Sequence, residues 1–353
     1  MVENFNPNTL IVARESRGFT QQELAESIKY PQSTLSKIEN GNQHMDDDLL
    51  KEIINFLDYP KSFFLQEMVI YPSNLHYRKK SDVSSKTLYT IEAHMNIYRT
   101  NIQKLIRSIE MPVTKLPFTD KISNLTPRDA AKYMRQYWSV PKGPIDNISK
   151  IIEDNGIIII PMDFGTDKID GRSMITSNGN FIIFINNKLS GDRLRFTLAH
   201  ELAHIVLHIS SLNVFETDIE KEAMIFASEF LMPEIEIKRQ LMGDKITMAK
   251  LADLKRYWKT SMQAILYWAA ILNVVTQNQA KYLWGQFSSL RIKMKEPIDI
   301  PVESPTLFKE ITTGFIKHLG YTKEELSNTL SISLKDLDTF YFIEEKKLLT
   351  IVR

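Results

Sequence analysis

The stretch Phe196-Thr197-Leu198-Ala199-His200-Glu201-Leu202-Ala203-His204 decides how the middle of this chain folds and which chemistry it carries. Leucine and alanine dominate it, and both favour an α-helix. Histidines four residues apart lie on one helix face about one turn apart, so both imidazoles can bind one zinc ion. Glu201, beside the first histidine, then faces the open position of the metal, where it can take a proton from bound water. The stretch therefore predicts a helix with a zinc site. The alternative is that the two histidines are surface or capping residues on a core helix.

The third zinc ligand must come from outside this stretch, because a catalytic zinc site uses three protein ligands and one water. Leu207 and Ser210 stand where metzincins would have Gly and His, so we expect a Glu on a following helix. The acidic candidates in 216–230 are Glu216, Asp218, Glu220, Glu222 and Glu229. Both Glu220 and Glu222 neighbour the apolar stripe of that helix, and spacing alone does not choose between them.

Residues 170–233 resemble the ImmA/IrrE family of metallopeptidases, which carries three linked motifs in a fixed order. The motifs stand here at Arg195–His204, Glu220–Ala227 and Leu231–Pro233. The family is similar to gluzincins, in which the ligand Glu opens a Glu-x-x-Ala-Asp/Asn segment, and this pattern selects Glu220. The resemblance implies a zincin-like fold with Zn²⁺ as the cofactor. It also implies the roles of four residues, with Glu201 as the general base and His200, His204 and Glu220 as the metal ligands.

One position departs from the family pattern. Met224 stands at the fifth place of the segment that Glu220 opens, where the family usually has an Asn or Asp. That residue type can orient a ligand histidine, and a methionine cannot do so in the same way. The support of the ligands, and with it the catalytic strength of the site, is therefore in question.

The residues before the zinc motif favour a β-hairpin. Arg172–Thr176 and Phe181–Asn186 flank Asn178-Gly179, which is a strong hairpin signal. An edge strand of this hairpin would pair with an extended peptide substrate. Arg195 and His208 are the candidates for stabilising a transition-state oxyanion. His208 lies about 12 Å beyond the first histidine of the motif along an ideal helix, so it is expected at the surface or in support of a ligand.

The first 60 residues predict four or five short helices, and residues 10–57 resemble a Cro/C1-type (XRE) helix-turn-helix. Thr20 and Glu23 form a capping box for the first helix of the pair, and Asn40-Gly41 ends the recognition helix. The side chains expected to face DNA are Gln21, Gln32, Ser33, Thr34, Ser36 and Lys37. The resemblance implies DNA as a partner, and a homodimer is a reasonable expectation. The alternative is a small helical module that docks on a protein.

The net charge of +1 conceals an uneven distribution along the chain. Residues 1–65, which we call the head, hold six basic and ten acidic residues. Their net charge of −4 weighs against DNA binding. Residues 66–118, which we call the basic neck, hold eight basic and four acidic residues, a net charge of +4. The run Arg78-Lys79-Lys80 in this neck would compensate for the acidic head if it lay beside the duplex.

Composition bounds the class of protein. The chain has 353 residues, of which 43% are hydrophobic and 25% charged, as in ordinary globular proteins of two or three domains. The absence of cysteine excludes disulfides, iron–sulfur clusters and cysteine-based zinc fingers. No signal peptide follows Met1, and the longest apolar stretch, 265–275, is too short for a bilayer. We therefore expect a cytoplasmic protein without membrane contact.

The predicted fold class is α+β, mostly helical with a small sheet. We expect an XRE-type domain at 1–65, a basic helical linker at 66–118, a zincin-like metallopeptidase domain at 119–240 and a helical region at 241–353. Within the last region, 249–272 and 307–340 have the pattern of further helix-turn-helix units, which we interpret as packing helices rather than DNA readers.

These features together predict a DNA-binding transcriptional regulator fused to a zinc metallo-endopeptidase. By resemblance, its substrate is a regulatory protein such as a transcriptional repressor or an antitoxin-like factor. The alternative is a non-proteolytic regulator in which the zinc site is structural or sensory, and Met224 favours this alternative.

Overall fold

The computed structural model describes residues 2–71, 83–117, 122, 124–209, 218–243 and 245–342. They form an α+β fold, mostly helical with one small sheet, as the sequence predicts. The described residues do not include the run Arg78-Lys79-Lys80 of the basic neck or the ligand candidate Glu216.

The head folds into five short helices, as expected. They are α1 (Pro7–Ser16), α2 (Gln21–Ile28), α3 (Gln32–Glu39), α4 (Asp47–Leu57) and α5 (Lys61–Leu65). The predicted capping box is present: the Thr20 hydroxyl accepts from the Glu23 N–H at 3.2 Å, and the Thr20 N–H donates to the Glu23 carboxylate at 2.7 Å. Lys29 ends α2 in the left-handed conformation, which turns the chain into α3.

In the described residues between the head and the sheet, three α-helices follow one another. The long helix α6 (Ser85–Leu105) packs against α1 and is followed by a 3₁₀ turn at Ile106–Ser108. Helix α7 (Pro127–Tyr137) starts with the proline at its first position, where the missing N–H costs nothing. Helix α8 (Ile148–Asp154) then runs directly into the first strand.

The sheet has three strands in the order β1-β3-β2: β1 (Ile158–Met162), β2 (Gly171–Ile175) and β3 (Phe181–Asn186). β1 and β3 are parallel, whereas β2 and β3 form the predicted antiparallel hairpin around Gly179, whose φ is +84°. Side chains alternate between the two faces of a strand. Ile159 and Ile183 therefore join the core around the zinc-motif helix, while Ile158 and Phe184 join the core that includes the head.

The rest of the described chain is helical except for an extended segment at 291–306. The helices are α9 (Gly191–Ala203), α10 (Ile219–Leu231), α11 (Glu234–Leu241), α12 (Met248–Trp258), α13 (Met262–Ile271), α14 (Gln277–Ser289), α15 (Leu307–Lys317), α16 (Lys323–Leu330) and α17 (Leu334–Phe340). Helix α9 continues as a π-helical turn at His204–Ile209.

Helices α15–α17 repeat the local geometry of α1–α3. Thr322 and Glu325 form a capping box at α16, as their counterparts do at α2. Ser331 ends α16 with φ 57°, and Lys29 ends α2 with φ 58°. Asp336 and Leu337 on α17 are buried, as Leu35 and Ile38 are on α3.

Candidate metal centre and DNA-facing surface

The two histidines of the zinc motif lie side by side at the end of α9. The Nε2 atoms of His200 and His204 are 3.1 Å apart, as expected for residues four apart on one helix face. Helix α10 runs across α9 and brings Glu220 to the same point. Its carboxylate oxygens lie 3.4 Å from Nε2 of His200 and 3.6 Å from Nε2 of His204. The structure thus brings together the three residues that the family resemblance implies as metal ligands.

The geometry of these three residues fits a tetrahedral ion. Ligands at 2.0–2.1 Å from a tetrahedral metal are separated from each other by about 3.3 Å, and the separations here range from 3.1 to 3.6 Å. Burial lowers the pKa of His204 to about 3, so its imidazole is neutral and has a lone pair for a metal. His200, His204 and Glu220 can therefore hold a metal ion.

Glu201 lies beside this cluster at the bottom of the cleft and is almost fully buried. Burial raises the pKa of its carboxyl, whereas the nearby His200 and Arg172 and a hydrogen bond from Ser173 lower it. The histidine belongs to α9, whereas the arginine and the serine belong to β2. The carboxylate is therefore influenced by groups from both elements. Glu201 is thus a buried carboxyl beside the cluster, and its pKa depends on burial, on His200 and on two residues of β2.

The cleft over the cluster has a volume of about 290 Å³ and is walled by β2 on one side. Gly171 makes this approach of strand to helix possible. A Cβ at that position would lie 2.7 Å from Cγ2 of Thr197 and 3.0 Å from Cγ of Glu201. Met224 lines the same cleft, so its side chain faces the space over the cluster.

Glu222, the other ligand candidate on α10, does not reach the cluster. Its Oε2 lies 3.1 Å from Nε2 of His208, and Nδ1 of His208 lies 3.1 Å from Nδ1 of His204. His208 therefore contacts a candidate ligand. This position agrees with the second of the two expectations for it, that it supports a ligand. Glu222 as its partner was missed by sequence reasoning, because the fourteen-residue separation between the two carries no local signal.

Arg195, one of the two candidates for an oxyanion donor, is not among the residues that line the cleft. The Arg195 guanidinium is buried under the extended segment, where it pairs with Glu303 and donates to the backbone oxygens of Ile145 and Asp146. It anchors the segment at 291–306 instead. The ring of His208 is engaged by its two neighbours. Arg172, which sequence reasoning did not select, lines the cleft instead.

The head carries a hydrogen-bonded chain that ends at the recognition helix α3. Arg14 donates to both oxygens of the buried Glu39 at 2.7 and 3.0 Å, and Gln21 donates to the same carboxylate at 2.6 Å. Gln32 in turn donates to Oε1 of Gln21 at 2.8 Å. Gln21, which is one of the residues expected to face DNA, thus orients Gln32, the first residue of α3.

The outer face of α3 is accessible. Gln32, Ser33 and Lys37 are exposed, and Thr34 and Ser36 are half-buried. The apolar side of the helix, with Leu35 and Ile38, packs into the head. The side chains expected to face DNA therefore share one exposed surface, apart from Gln21, which lies behind it.

Three basic residues in the described part of the basic neck contact the head or the neck itself rather than facing α3. Lys86 bonds the head at Glu23, with N–O distances of 2.8 and 2.9 Å. Arg99 is buried over the ring of Tyr71, and Lys104 bonds Gln66 at 2.8 Å. Three of the eight basic residues in the neck are therefore occupied in joining it to its surroundings.

Two segments of the chain match known protein families. Residues 152–269 match the family model described as an IrrE N-terminal-like domain, and residues 10–64 match the one described as a helix-turn-helix. These matches fall on the segments that carry the two resemblances in the sequence and confirm both. They support a metallopeptidase-like domain and a DNA-binding regulator. No curated protein matches the chain. No described helix has the length and apolar character needed to span a bilayer.

Proposed function

We propose that this chain, in which an XRE-type helix-turn-helix is joined to an ImmA/IrrE-type peptidase domain, is a DNA-binding regulator and a zinc-dependent endopeptidase acting in the cytoplasm. Its substrate is a regulatory protein, such as a repressor or an antitoxin-like factor. One observation carries the enzymatic part of the proposal. His200, His204 and Glu220 form a triangle of tetrahedral dimensions with a buried carboxylate, Glu201, beside it in an open cleft.

His200, His204 and Glu220 would hold the zinc ion, since they offer two imidazoles and one carboxylate, which are ordinary zinc ligands. When bound, zinc supplies a Lewis acid that polarises a peptide carbonyl and makes water more acidic. Glu201 takes the proton from the attacking water and then delivers it to the nitrogen of the leaving amine. Burial raises the pKa of Glu201, whereas His200, Arg172 and Ser173 act against this rise and favour the ionised form that the first of these steps requires.

Strand β2 would bind the substrate. It pairs only with β3 among the strands of the described chain, so its second edge has no partner strand there. An extended peptide can add to such an edge through its main-chain groups. Because Gly171 and Arg172 of β2 line the cleft, a peptide on this edge would pass over Glu201.

The head would read DNA through α3. Gln32 is exposed and donates one amide N–H to Gln21, so its amide oxygen and second N–H remain for a base. An outward glutamine amide suits the paired donor and acceptor of adenine in the major groove. Lys37 supplies a phosphate contact from the same face.

The enzymatic proposal is tested by comparing protein amino-termini in cells that express the wild type or the Glu201→Gln variant. We expect new termini from one regulatory protein with the wild type alone. Cleavage should then be reproduced with purified components, depend on zinc and be absent for His200→Ala. A Glu201→Gln variant that still cleaves, or a purified protein without metal, would contradict the proposal.

A second candidate is a regulator in which zinc is structural or sensory, without proteolysis. One observation favours it: the sheet that carries β2 contributes Ile158, Ile182 and Phe184 to a core shared with the head. A change at the metal cluster could therefore reach the head through packed side chains. In this case zinc removal changes the DNA affinity of Glu201→Gln, and no cleavage accompanies the regulation.

A further inference from the structure

The ring of His204 has two nitrogens, and the structure gives each of them a partner. Nε2 faces the metal cluster, 3.1 Å from Nε2 of His200. Nδ1 faces away from it, 3.1 Å from Nδ1 of His208. Nε2 of His208 is then 3.1 Å from Oε2 of Glu222. The contacts form one line that starts at a carboxylate on α10 and ends at the metal cluster.

The protons along this line can be assigned from the chemistry of its end. An ionised carboxylate only accepts hydrogen bonds, so His208 must donate its Nε2–H to Glu222. A neutral His208 then has a bare Nδ1, which accepts the Nδ1–H of His204. This fixes His204 in the tautomer whose Nε2 carries a lone pair, and that lone pair points to the cluster. Each step sets the next, and only the tautomer suited to metal binding remains at His204.

The local fold holds this line in place. His208 lies in the π-helical turn that continues α9, and such turns are frequent at functional sites. Ile205 and Val206 of the same turn are buried, which fixes its orientation in the core. Helix α10 packs closely along α9 and carries Glu220 and Glu222 two residues apart. One helix thus supplies both a ligand and the carboxylate at the start of the line.

We propose that His208 and Glu222 are positioning residues that orient His204 and fix its tautomer for metal binding. They supply the support for a ligand histidine that Met224, at the position of the family's Asn or Asp, cannot give. The inference rests on the proposed function in so far as the metal is zinc. It excludes His208 and Glu222 as direct ligands.

The first test is the zinc affinity of purified variants, measured by competition with a chelator of known affinity. Removal of a group that orients a ligand histidine typically weakens metal binding about 10- to 100-fold. We expect this loss for His208→Ala and for Glu222→Ala, and the same loss for the double variant, because the two residues act in series. Glu222→Gln keeps an acceptor oxygen for His208 and should recover most of the affinity. Lys221→Ala, an exposed neighbour on the same helix, is the matched control and should bind as the wild type does.

Two outcomes of this test would overturn the proposal. One is wild-type affinity in both single variants. The other is loss of the bound ion in His208→Ala together with its retention in Glu220→Ala, which would make His208 a ligand. Glu222 is half-buried, so its variants remain informative if His208→Ala does not fold.

The second test needs no metal and separates this proposal from the proposed function. The ¹⁵N shifts of labelled histidines in the metal-free protein distinguish the two neutral tautomers. We expect the Nδ1–H form at His204 and the Nε2–H form at His208, with a mixture at His204 in His208→Ala. If the wild type shows these tautomers but binds no zinc, the proposed function fails. The positioning of His204 by His208 and Glu222 is then still supported. If His204 is a mixture in the wild type, the line itself is wrong.

Discussion

Arg17 of the head and Asp336 of the last described helix, α17, form an ion pair across 319 residues of sequence. The guanidinium donates to both carboxylate oxygens, at 2.9 and 2.6 Å. Its Nε also donates to the backbone oxygen of Leu57, and the group stacks 4.3 Å over the ring of Tyr59. This arrangement ties the helix-turn-helix to the C-terminal helices through one arginine.

We expect that breaking this pair destabilises the whole chain. Asp336 is buried and Arg17 is four-fifths buried, so removal of either partner leaves a desolvated charge. Arg17→Ala and Asp336→Ala should each lower the free energy of unfolding by about 2 kcal/mol, and the double variant should lose little more. Urea unfolding measures these changes.

The control for this experiment is the exposed pair of Lys51 and Asp48. Its removal by Lys51→Ala should change the free energy of unfolding by less than about 0.5 kcal/mol. Additive losses in the double variant at Arg17 and Asp336 would mean that the two residues act independently, contrary to the contact described here.

Gly171→Ala should impair the cleft. The new Cβ would meet Thr197 and Glu201 at 2.7 and 3.0 Å, so β2 must move away from α9. Overpacking of this kind costs about 1–3 kcal/mol of stability, and the displaced strand should also reduce turnover of the substrate. Urea unfolding and the cleavage assay give the two values.

Gly285→Ala is the matched control, because no atom lies within 4 Å of the added Cβ. Gly285 is in the interior of α14, where alanine is favoured over glycine by about 0.5–1 kcal/mol. This variant should be slightly more stable than the wild type and fully active. Equal behaviour of the two alanine variants would argue against the close packing of β2 on α9.

Much of this fold was predictable because its signals are local. The capping box at Thr20, the turn at Gly179 and the two histidines one helical turn apart depend on spacings of a few residues. The third ligand was predictable only in part. Spacing left Glu220 and Glu222 open, and the family resemblance selected Glu220, which is the one that the structure brings to the histidines.

What could not be predicted depends on contacts between distant segments. Arg195 opens the first family motif and is a candidate for an oxyanion donor by sequence, but it pairs with Glu303 of the extended segment. The π-helical turn after His204 has no sequence signal, since tertiary packing decides it.

Glu220→Ala should remove the metal, whereas Glu222→Ala should only weaken its binding. Glu220 places its carboxylate 3.4 and 3.6 Å from the two histidines, and loss of one of three ligands leaves an incomplete site. We expect at least a 1,000-fold loss of zinc affinity, roughly 4 kcal/mol, against 10- to 100-fold for Glu222→Ala. Zinc content after dialysis and chelator competition distinguish the two. The reverse order would make Glu222 the ligand.

Glu229 should make stability depend on pH. Burial raises the pKa of this carboxyl to about 7, although it accepts the Glu234 N–H at 3.1 Å. Between its ordinary pKa of 4.5 and pH 7 the folded chain holds a proton that the unfolded chain loses, so this group lowers stability as the pH rises. Glu229→Gln keeps an acceptor and removes the charge, and it should be more stable than the wild type by about 1–2 kcal/mol at pH 8. The gain should shrink towards zero at pH 5. Urea unfolding at both pH values tests this, with the exposed Glu3→Gln as a control that shows no such gain.

The head should distinguish base contacts from phosphate contacts on α3. Gln32 is exposed and oriented by Gln21, so Gln32→Ala should weaken binding to the preferred DNA sequence about 10- to 100-fold, with little effect on other sequences. Lys37→Ala should weaken binding to all sequences and reduce the slope of log affinity against log salt by about 1. Selection from a random DNA library identifies the sequence, and titrations at several salt concentrations give both quantities. Lys51→Ala, an exposed cation on α4, should leave both unchanged. If no sequence is selected, and binding of the wild type does not differ between DNAs, the head is a protein-docking module instead.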